Sequence, residues 1–196
     1  MKRIFISLLL LFLFCSKCYK KRTGGFNSDL VNGDFDEDLT IGWQKKVENY
    51  AGGYEIKRVK EGEEYYARVN KDLCGYAQLY QIVRISNLAS SLSFQAKFSA
   101  NTNEGDYAAA AAVVIEYLNH SQRRLGATYF YYSTSNFGEW QNASTTHLYK
   151  TSASGWQEFS LDIKNELGQN LPGINSDEVA YLKISILAYC TQEEGC

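Results

Sequence analysis

The densest group of chemically versatile side chains in this sequence is Asp34-Phe35-Asp36-Glu37-Asp38, four carboxylates in five positions. Carboxylates packed this closely can do three things. On alternate positions of a strand they could supply the acid and the nucleophile of a glycosidase, which stand roughly 5 Å apart. With backbone carbonyls they could hold a calcium ion. They could also form a solvated turn. A catalytic strand would interleave apolar residues between its acids, and Glu37 interrupts that alternation. The spacing starts like an EF-hand loop, but Leu39 stands where position six needs glycine and Lys45 where position twelve needs an acid, so that motif is excluded. The metal reading narrows to a structural calcium held by Asp34 and Asp36, with a plain solvated loop as its alternative and a glycosidase using Asp34 and Asp36 as the least favoured of the three.

Aromatic residues are the second chemical resource: 15 Tyr, 10 Phe and 3 Trp. Sugars stack their apolar C–H faces on such rings, while amides and acids nearby take the hydroxyls. Tyr76, Gln78 and Tyr80 fall on one face of their segment at a spacing of two. Gln95 and Lys97 lie on the outward face of the next. If Ile115 and Tyr117 point inward, Ala110, Ala112 and Glu116 point outward, and the small alanines would leave room for a groove. Tyr129, Tyr131 and Trp140 lie on or beside a long connection. These residues are the candidate ligand contacts; Trp43 and Trp156 are assigned to the core.

Other chemistries find little support. There is no Gly-x-Ser-x-Gly, no phosphate-cradling glycine loop, and neither His120 nor His147 has a recognisable Ser or Cys and acid partner. No cysteine or histidine pair has metal-ligand spacing. A catalyst is therefore not expected. Asn119-His120-Ser121 and Asn142-Ala143-Ser144 match N-glycosylation sequons.

These groups have to be positioned by strands. Apolar periods of two dominate, and proline occurs once, at Pro172. Expected strands are Tyr54–Val59, Tyr65–Val69, Ala77–Ile85, Leu92–Ser99, Ala108–Leu118, Ala127–Ser133, Trp156–Ile163 and Val179–Tyr189, with turn-forming clusters between them. Leu92, Phe94, Ala96 and Phe98 alternating with Ser93, Gln95 and Lys97 mark one buried and one exposed face. Lys164 to Leu171 is the best helical turn. The expected fold is all-β: a two-sheet antiparallel β-sandwich.

The order Asn32-Gly33-Asp34-Phe35, Gly42-Trp43, Leu79-Tyr80-Gln81-Ile82-Val83, Leu92-Ser93-Phe94-Gln95-Ala96-Lys97 and Trp156-Gln157-Glu158-Phe159 resembles the jelly-roll carbohydrate-binding modules and galactose-binding-like domains of secreted glycosidases and surface proteins. That resemblance spans nearly all of the chain beyond the leader. It implies a β-jelly roll of two antiparallel sheets, often with a structural calcium. Two departures are notable. The last strand ends Leu187-Ala188-Tyr189-Cys190, without the acidic pair often found there, and the stretch from Phe130 to Ser154 is longer than usual.

The chain opens with Met1-Lys2-Arg3 and an apolar run from Ile4 to Phe14, relieved only by Ser7. A basic start and a short apolar core make a secretory signal, expected as a helix over residues 1–18. The run would span only about 16 Å as a helix, too short to cross a hydrocarbon core. Ser16-Lys17-Cys18 offers a cleavage site; the alternative is lipidation of Cys15 or Cys18. Residues 19–26 form a tether, and 27–196 form one domain. Past residue 22, 14 basic residues face 22 acidic ones, which argues against nucleic acid and against an electrostatic hold on anionic lipid. Cys74, Cys190 and Cys196 are an odd set in an oxidising compartment. One disulfide and one free thiol fit best, pairing Cys190 with Cys196 or Cys74 with Cys190. The expectation is a secreted or surface-tethered, non-catalytic binder of glycan, or alternatively an adhesive domain contacting a surface protein, with the membrane reached only through a lipid anchor.

Overall fold

The computed structural model describes residues 11–14, 30–86, 88, 91–101, 107–152 and 155–192. Most of the segment expected as an export signal, Cys15, Cys18, Cys196 and the expected tether lie outside the described residues. The chain is mostly β. Its strands are β1 (Leu11–Phe14), β2 (Gln44–Asn49), β3 (Tyr54–Glu61), β4 (Glu64–Lys71), β5 (Gly75–Arg84), β6 (Ser91–Lys97), β7 (Tyr107–Leu118), β8 (Arg124–Ser133), β9 (Thr146–Lys150), β10 (Gln157–Asp162) and β11 (Tyr181–Gln192). One short helix, α1 (Ile163–Gln169), and a 3₁₀ turn at Ser176–Glu178 separate β10 from β11.

Five strands pair in the order β10-β6-β1-β4-β3 and six in the order β2-β5-β11-β7-β8-β9. Both inner faces contribute to one hydrophobic core. Ile56, Val69, Phe94, Ala96 and Leu161 come from the first sheet; Leu79, Val113, Ile115, Phe130, Ile184 and Ile186 come from the second. The alternation read from Leu92 to Lys97 is realised: Phe94 and Ala96 are buried, while Ser93 is exposed and Gln95 half-buried. Phe94 stacks on Phe159 at 5.1 Å and meets Phe130 edge-on at 5.2 Å, so aromatic contacts tie the two sheets together.

Several sequence expectations need correction. Leu11–Phe14, within the segment expected as a signal, is paired as strand β1 with β4 on one side and β6 on the other. Trp156 is only half-buried and packs at 5.7 Å on Tyr66 in a satellite cluster, outside the main core. Trp43 is core as expected, 6 % exposed, with its ring 5.2 Å from Phe35. Two strands escaped the sequence pattern. β2 reads Gln-Lys-Lys-Val-Glu-Asn, and only Val47 packs against the core, so it carries no apolar alternation. β9 lies in the long connection after β8 and runs parallel to it at the sheet edge. Cys190 is a free, buried thiol, so neither of the expected pairings through it is formed.

Local chemistry fixes the connections. The β3–β4 hairpin closes through Gly62-Glu63, with Gly62 at φ 63°, the left-handed conformation a tight hairpin turn requires. Gly75 has φ 113°, and a Cβ there would lie 2.0 Å from the Glu48 carbonyl, so only glycine lets β2 lie against β5 at that point. The Asp162 side chain accepts from the Asn165 amide at 2.8 Å and starts α1, and the helix ends before Pro172.

Candidate functional site

Since Leu79, Val113, Ile115, Phe130, Ile184 and Ile186 face the core, their alternate neighbours form the outer face of the six-stranded sheet. This face gathers Tyr76, Gln78 and Tyr80 from β5, Glu116 from β7 and Tyr129 and Tyr131 from β8. Trp140, from the connection after β8, lies over it. All the expected ligand contacts therefore share one surface except Gln95 and Lys97. Those two sit on the outward face of β6, in the other sheet, on the opposite side of the core.

The face has two halves. On the β2–β5 side, register places Gln44 opposite Tyr80, Lys46 opposite Gln78 and Glu48 opposite Tyr76. The Tyr80 hydroxyl donates to Gln44 Oε1 at 2.7 Å, and the Tyr76 hydroxyl to Glu48 Oε1 at 2.6 Å. That hydrogen bond holds the Glu48 carboxyl below its ordinary range. Burial first, then the same carboxylate, pushes the Tyr76 phenol up. In the centre, Glu116 bridges Lys183 at 2.7 Å and Arg124 at 3.3 Å, and Lys183 lies 4.9 Å over the Tyr80 ring.

The other half is aromatic. Trp140 contacts Tyr129 at 4.8 Å, Phe137 at 4.9 Å, Tyr131 at 5.6 Å and Tyr189 at 6.1 Å between ring centroids. Beneath them run Ala110, Ala112 and Ala127, each 0 % exposed. The expected alanine groove is thus not open: the small residues let the rings settle onto the sheet, and the rings cover it. Phe137, Leu187 and Tyr189 belong to this patch and were not singled out in the sequence. Phe137 sits in a loop without periodicity, and Tyr189 is brought opposite Ala110 only by the pairing of β11 with β7. Two buried hydroxyls on this face, Ser185 Oγ and Ser133 Oγ, have no hydrogen-bond partner among the described residues.

The acidic loop is built differently. Asn32 is its hub: the side-chain amide donates to the carbonyls of Glu37, Asp38 and Ile41, and its oxygen accepts from the Glu37 amide at 3.0 Å. The Arg58 guanidinium donates to the carbonyls of Phe35 and Asp36 and lies 3.3 Å over the Tyr65 ring. Asp34 accepts from the Asp36 amide, and Asp38 accepts from the Thr40 amide and hydroxyl; these last bonds hold the Asp38 carboxyl below its ordinary range. Phe35, at φ 58°, turns into the core. The loop is a turn, not a strand, and several of its carbonyl oxygens accept from Asn32 and Arg58. Among the described residues no group of three or more His, Cys, Asp or Glu side chains converges on a metal position.

A polar network missed in the sequence lies at the other sheet edge. Glu166, on α1 and 4 % exposed, accepts from Thr128 Oγ1 at 2.6 Å and from Asn170 Nδ2 at 2.7 Å, and it pairs with His147 Nδ1 at 2.7 Å. The Tyr117 hydroxyl lies 3.2 Å from Thr128, and burial pushes its phenol well above the usual tyrosine range. His147 therefore does have an acid partner. It went unseen because the residues are 19 positions apart and meet only where α1 packs against β8 and β9. Through Glu166 the network ties α1 to Thr128 of β8 and His147 of β9, a clasp for the helix.

Among the described residues no helix is long and apolar enough to cross a membrane. No family model matches the chain, and no curated protein matches it either.

Proposed function

We propose that the chain is an exported, non-catalytic jelly-roll module that binds glycan on the outer face of the six-stranded sheet. The strand order supports the jelly-roll reading, since chain neighbours such as β4 and β5, or β6 and β7, fall in opposite sheets. One observation carries the binding reading: Tyr76, Tyr80, Tyr129, Tyr131 and Trp140 share a single sheet face with Gln44, Gln78, Glu48 and Glu116. Rings that are only half-buried offer stacking surface, and the amides and carboxylates between them offer the hydrogen bonds that sugar hydroxyls need.

Binding to a polysaccharide panel tests this. Trp140→Ala and Tyr80→Ala should each weaken binding about tenfold, the loss of one stacking contact worth roughly 1.4 kcal/mol. Gln95→Ala, on the opposite face, should leave it unchanged. Loss with Gln95→Ala but not with Tyr80→Ala would move the site to the other sheet. A co-purifying protein with no glycan bound would favour the adhesive alternative. Calcium at Asp34 and Asp36 is a separate proposal; an ion there would share the loop carbonyls with Arg58 and Asn32. Adding a chelator should leave the melting temperature unchanged if those two side chains hold the loop alone; a drop of several degrees would establish the ion.

A further inference from the structure

Charge is divided unevenly between the two outer faces of the sandwich. On the strands of the six-stranded sheet, register and alternation turn five basic residues outward: Lys46, Arg84, Arg124, Lys150 and Lys183. Two acids share that face, Glu48 and Glu116, and Glu139, next to Trp140, adds a third that acts on Tyr189. The outer face of the five-stranded sheet has the opposite balance: Lys57, Arg68 and Lys97 stand among five carboxylates. Past residue 22 the whole chain has 14 basic and 22 acidic residues, so the aromatic face is a basic surface on an acidic protein.

Hydrogen-bonding capacity leans the same way. The acceptors of the face are already drawn on. Glu48 accepts from the Tyr76 hydroxyl at 2.6 Å and the Tyr50 hydroxyl at 3.2 Å and pairs with Lys46 at 3.5 Å, while Glu116 pairs with Lys183 and Arg124. Two groups able to donate are not. The Gln78 amide, 8 % exposed, and the Ser185 hydroxyl, 0 % exposed, have no hydrogen-bond partner among the described residues. Gln78 stands opposite Leu187 and Ser185 opposite Tyr80, so the two are diagonal neighbours across β5 and β11. Gln78 keeps some exposure and is what a ligand reaches; Ser185 lies fully buried beside it. On the other side of Gln78, in β2, is Lys46, whose side chain is 55 % exposed. Tyr76 and Tyr80 bracket Gln78 along β5, and their hydroxyl bonds to Glu48 and Gln44 fix both rings in place.

We infer that the ligand of this face is an acidic glycan of low charge density, a chain bearing uronate carboxylates, with one carboxylate seated at Gln78 and Lys46. This rests on the glycan reading. A carboxylate brings acceptors only, and the Gln78 amide hydrogens are donors in need of one; an unpaired buried donor is unfavourable, and a ligand oxygen relieves it. The Lys46 ammonium has three donors, and its contact with Glu48 is long, so it keeps donors for a second carboxylate. The charge balance also bounds the ligand. About two net positive charges match a chain with scattered carboxylates, whereas nucleic acid, with a phosphate at every step, needs many more basic contacts. The rings of Tyr76 and Tyr80 then stack the sugars on either side of the seated carboxylate.

Binding to polygalacturonate, alginate and hyaluronan, each beside its methyl-esterified form, tests this at about 50 and 200 mM salt. At least one free acid should bind at least about tenfold more tightly than its ester. Raising the salt should weaken that binding about threefold to sevenfold, the release of one or two counterions. Lys46→Gln and Gln78→Leu should each bring the acid down toward the ester without changing the ester itself. Lys57→Gln, on the opposite face, should change neither. Lys46 is exposed, so its substitution serves where Gln78→Leu unfolds the domain. Esters that bind as tightly as the acids, with both lost on Tyr80→Ala, would overturn the acidic ligand and leave the glycan reading standing. No binding to any of these polymers would overturn both. A loss of more than about a hundredfold between the two salts, shared by dextran sulfate, would overturn the inference in favour of plain attraction for polyanions.

Discussion

Replacing Glu166 with alanine should destabilise the domain through loss of a buried acceptor, not through loss of a surface charge. The carboxylate is 4 % exposed and takes three hydrogen bonds. Hydrogen bonds to a charged group contribute about 1.5–3 kcal/mol each. Asn170 is exposed and recovers its bond from water, so only Thr128, fully buried, and His147, whose side chain is 21 % exposed, count in full. Their loss comes to roughly 3–6 kcal/mol, offset by removing a carboxylate whose burial was itself unfavourable. A net cost of about 2–4 kcal/mol follows, or about 5–15 °C in melting temperature for a domain of this size. Urea unfolding followed by tryptophan fluorescence measures it. Thr128→Val tested in the same background should show coupling: the double variant should lose at least about 1 kcal/mol less than the two single changes added. A Glu166→Ala cost under about 0.5 kcal/mol, or strict additivity with Thr128→Val, would refute the clasp.

Alkaline pH should weaken the fold. Burial raises Tyr117, Tyr129, Tyr76 and Tyr189 above their ordinary value near 10, and Cys190 above 9. The folded chain then holds protons that the unfolded chain has released, so stability falls as pH rises through that range. Lys71 has the opposite sign: burial lowers its affinity for a proton, so the unfolded state holds the extra one and rising pH favours folding there. Lys46, raised by its hydrogen bond to Tyr76, adds to the first set; six groups oppose one, and the urea midpoint should be lower at pH 10.5 than at pH 8, while an unchanged or higher midpoint would contradict the balance. Gly75→Ala should cost about 1–3 kcal/mol or more, since φ 113° and a 2.0 Å approach to the Glu48 carbonyl leave no room for a methyl group. Its thermal shift should come with faster exchange along β2, and wild-type stability would show that β2 can move aside freely.

The sequence by itself determined the strand character, the buried and exposed faces of β6, and the row of Tyr76, Gln78 and Tyr80 along one face of β5. Side chains alternate at a period of two along any strand, so those facts are local. It also marked the acidic segment as a turn candidate, because Asn and Asp close on their own backbone. Tertiary structure decided which faces share a surface. Gln95 and Lys97 alternate as cleanly as Gln78 and Tyr80, yet strand order sends β5 and β6 to opposite sheets. It also decided that Ala110 and Ala112 are roofed by Trp140, that Glu166 meets His147, and that Cys190 stays free. Most clearly, it placed Leu11–Phe14 in the slot between β4 and β6, where an apolar run that reads as a leader satisfies two strand edges. Hydrogen-bonding demand of that kind comes from distant strands, and no local pattern in the sequence records it.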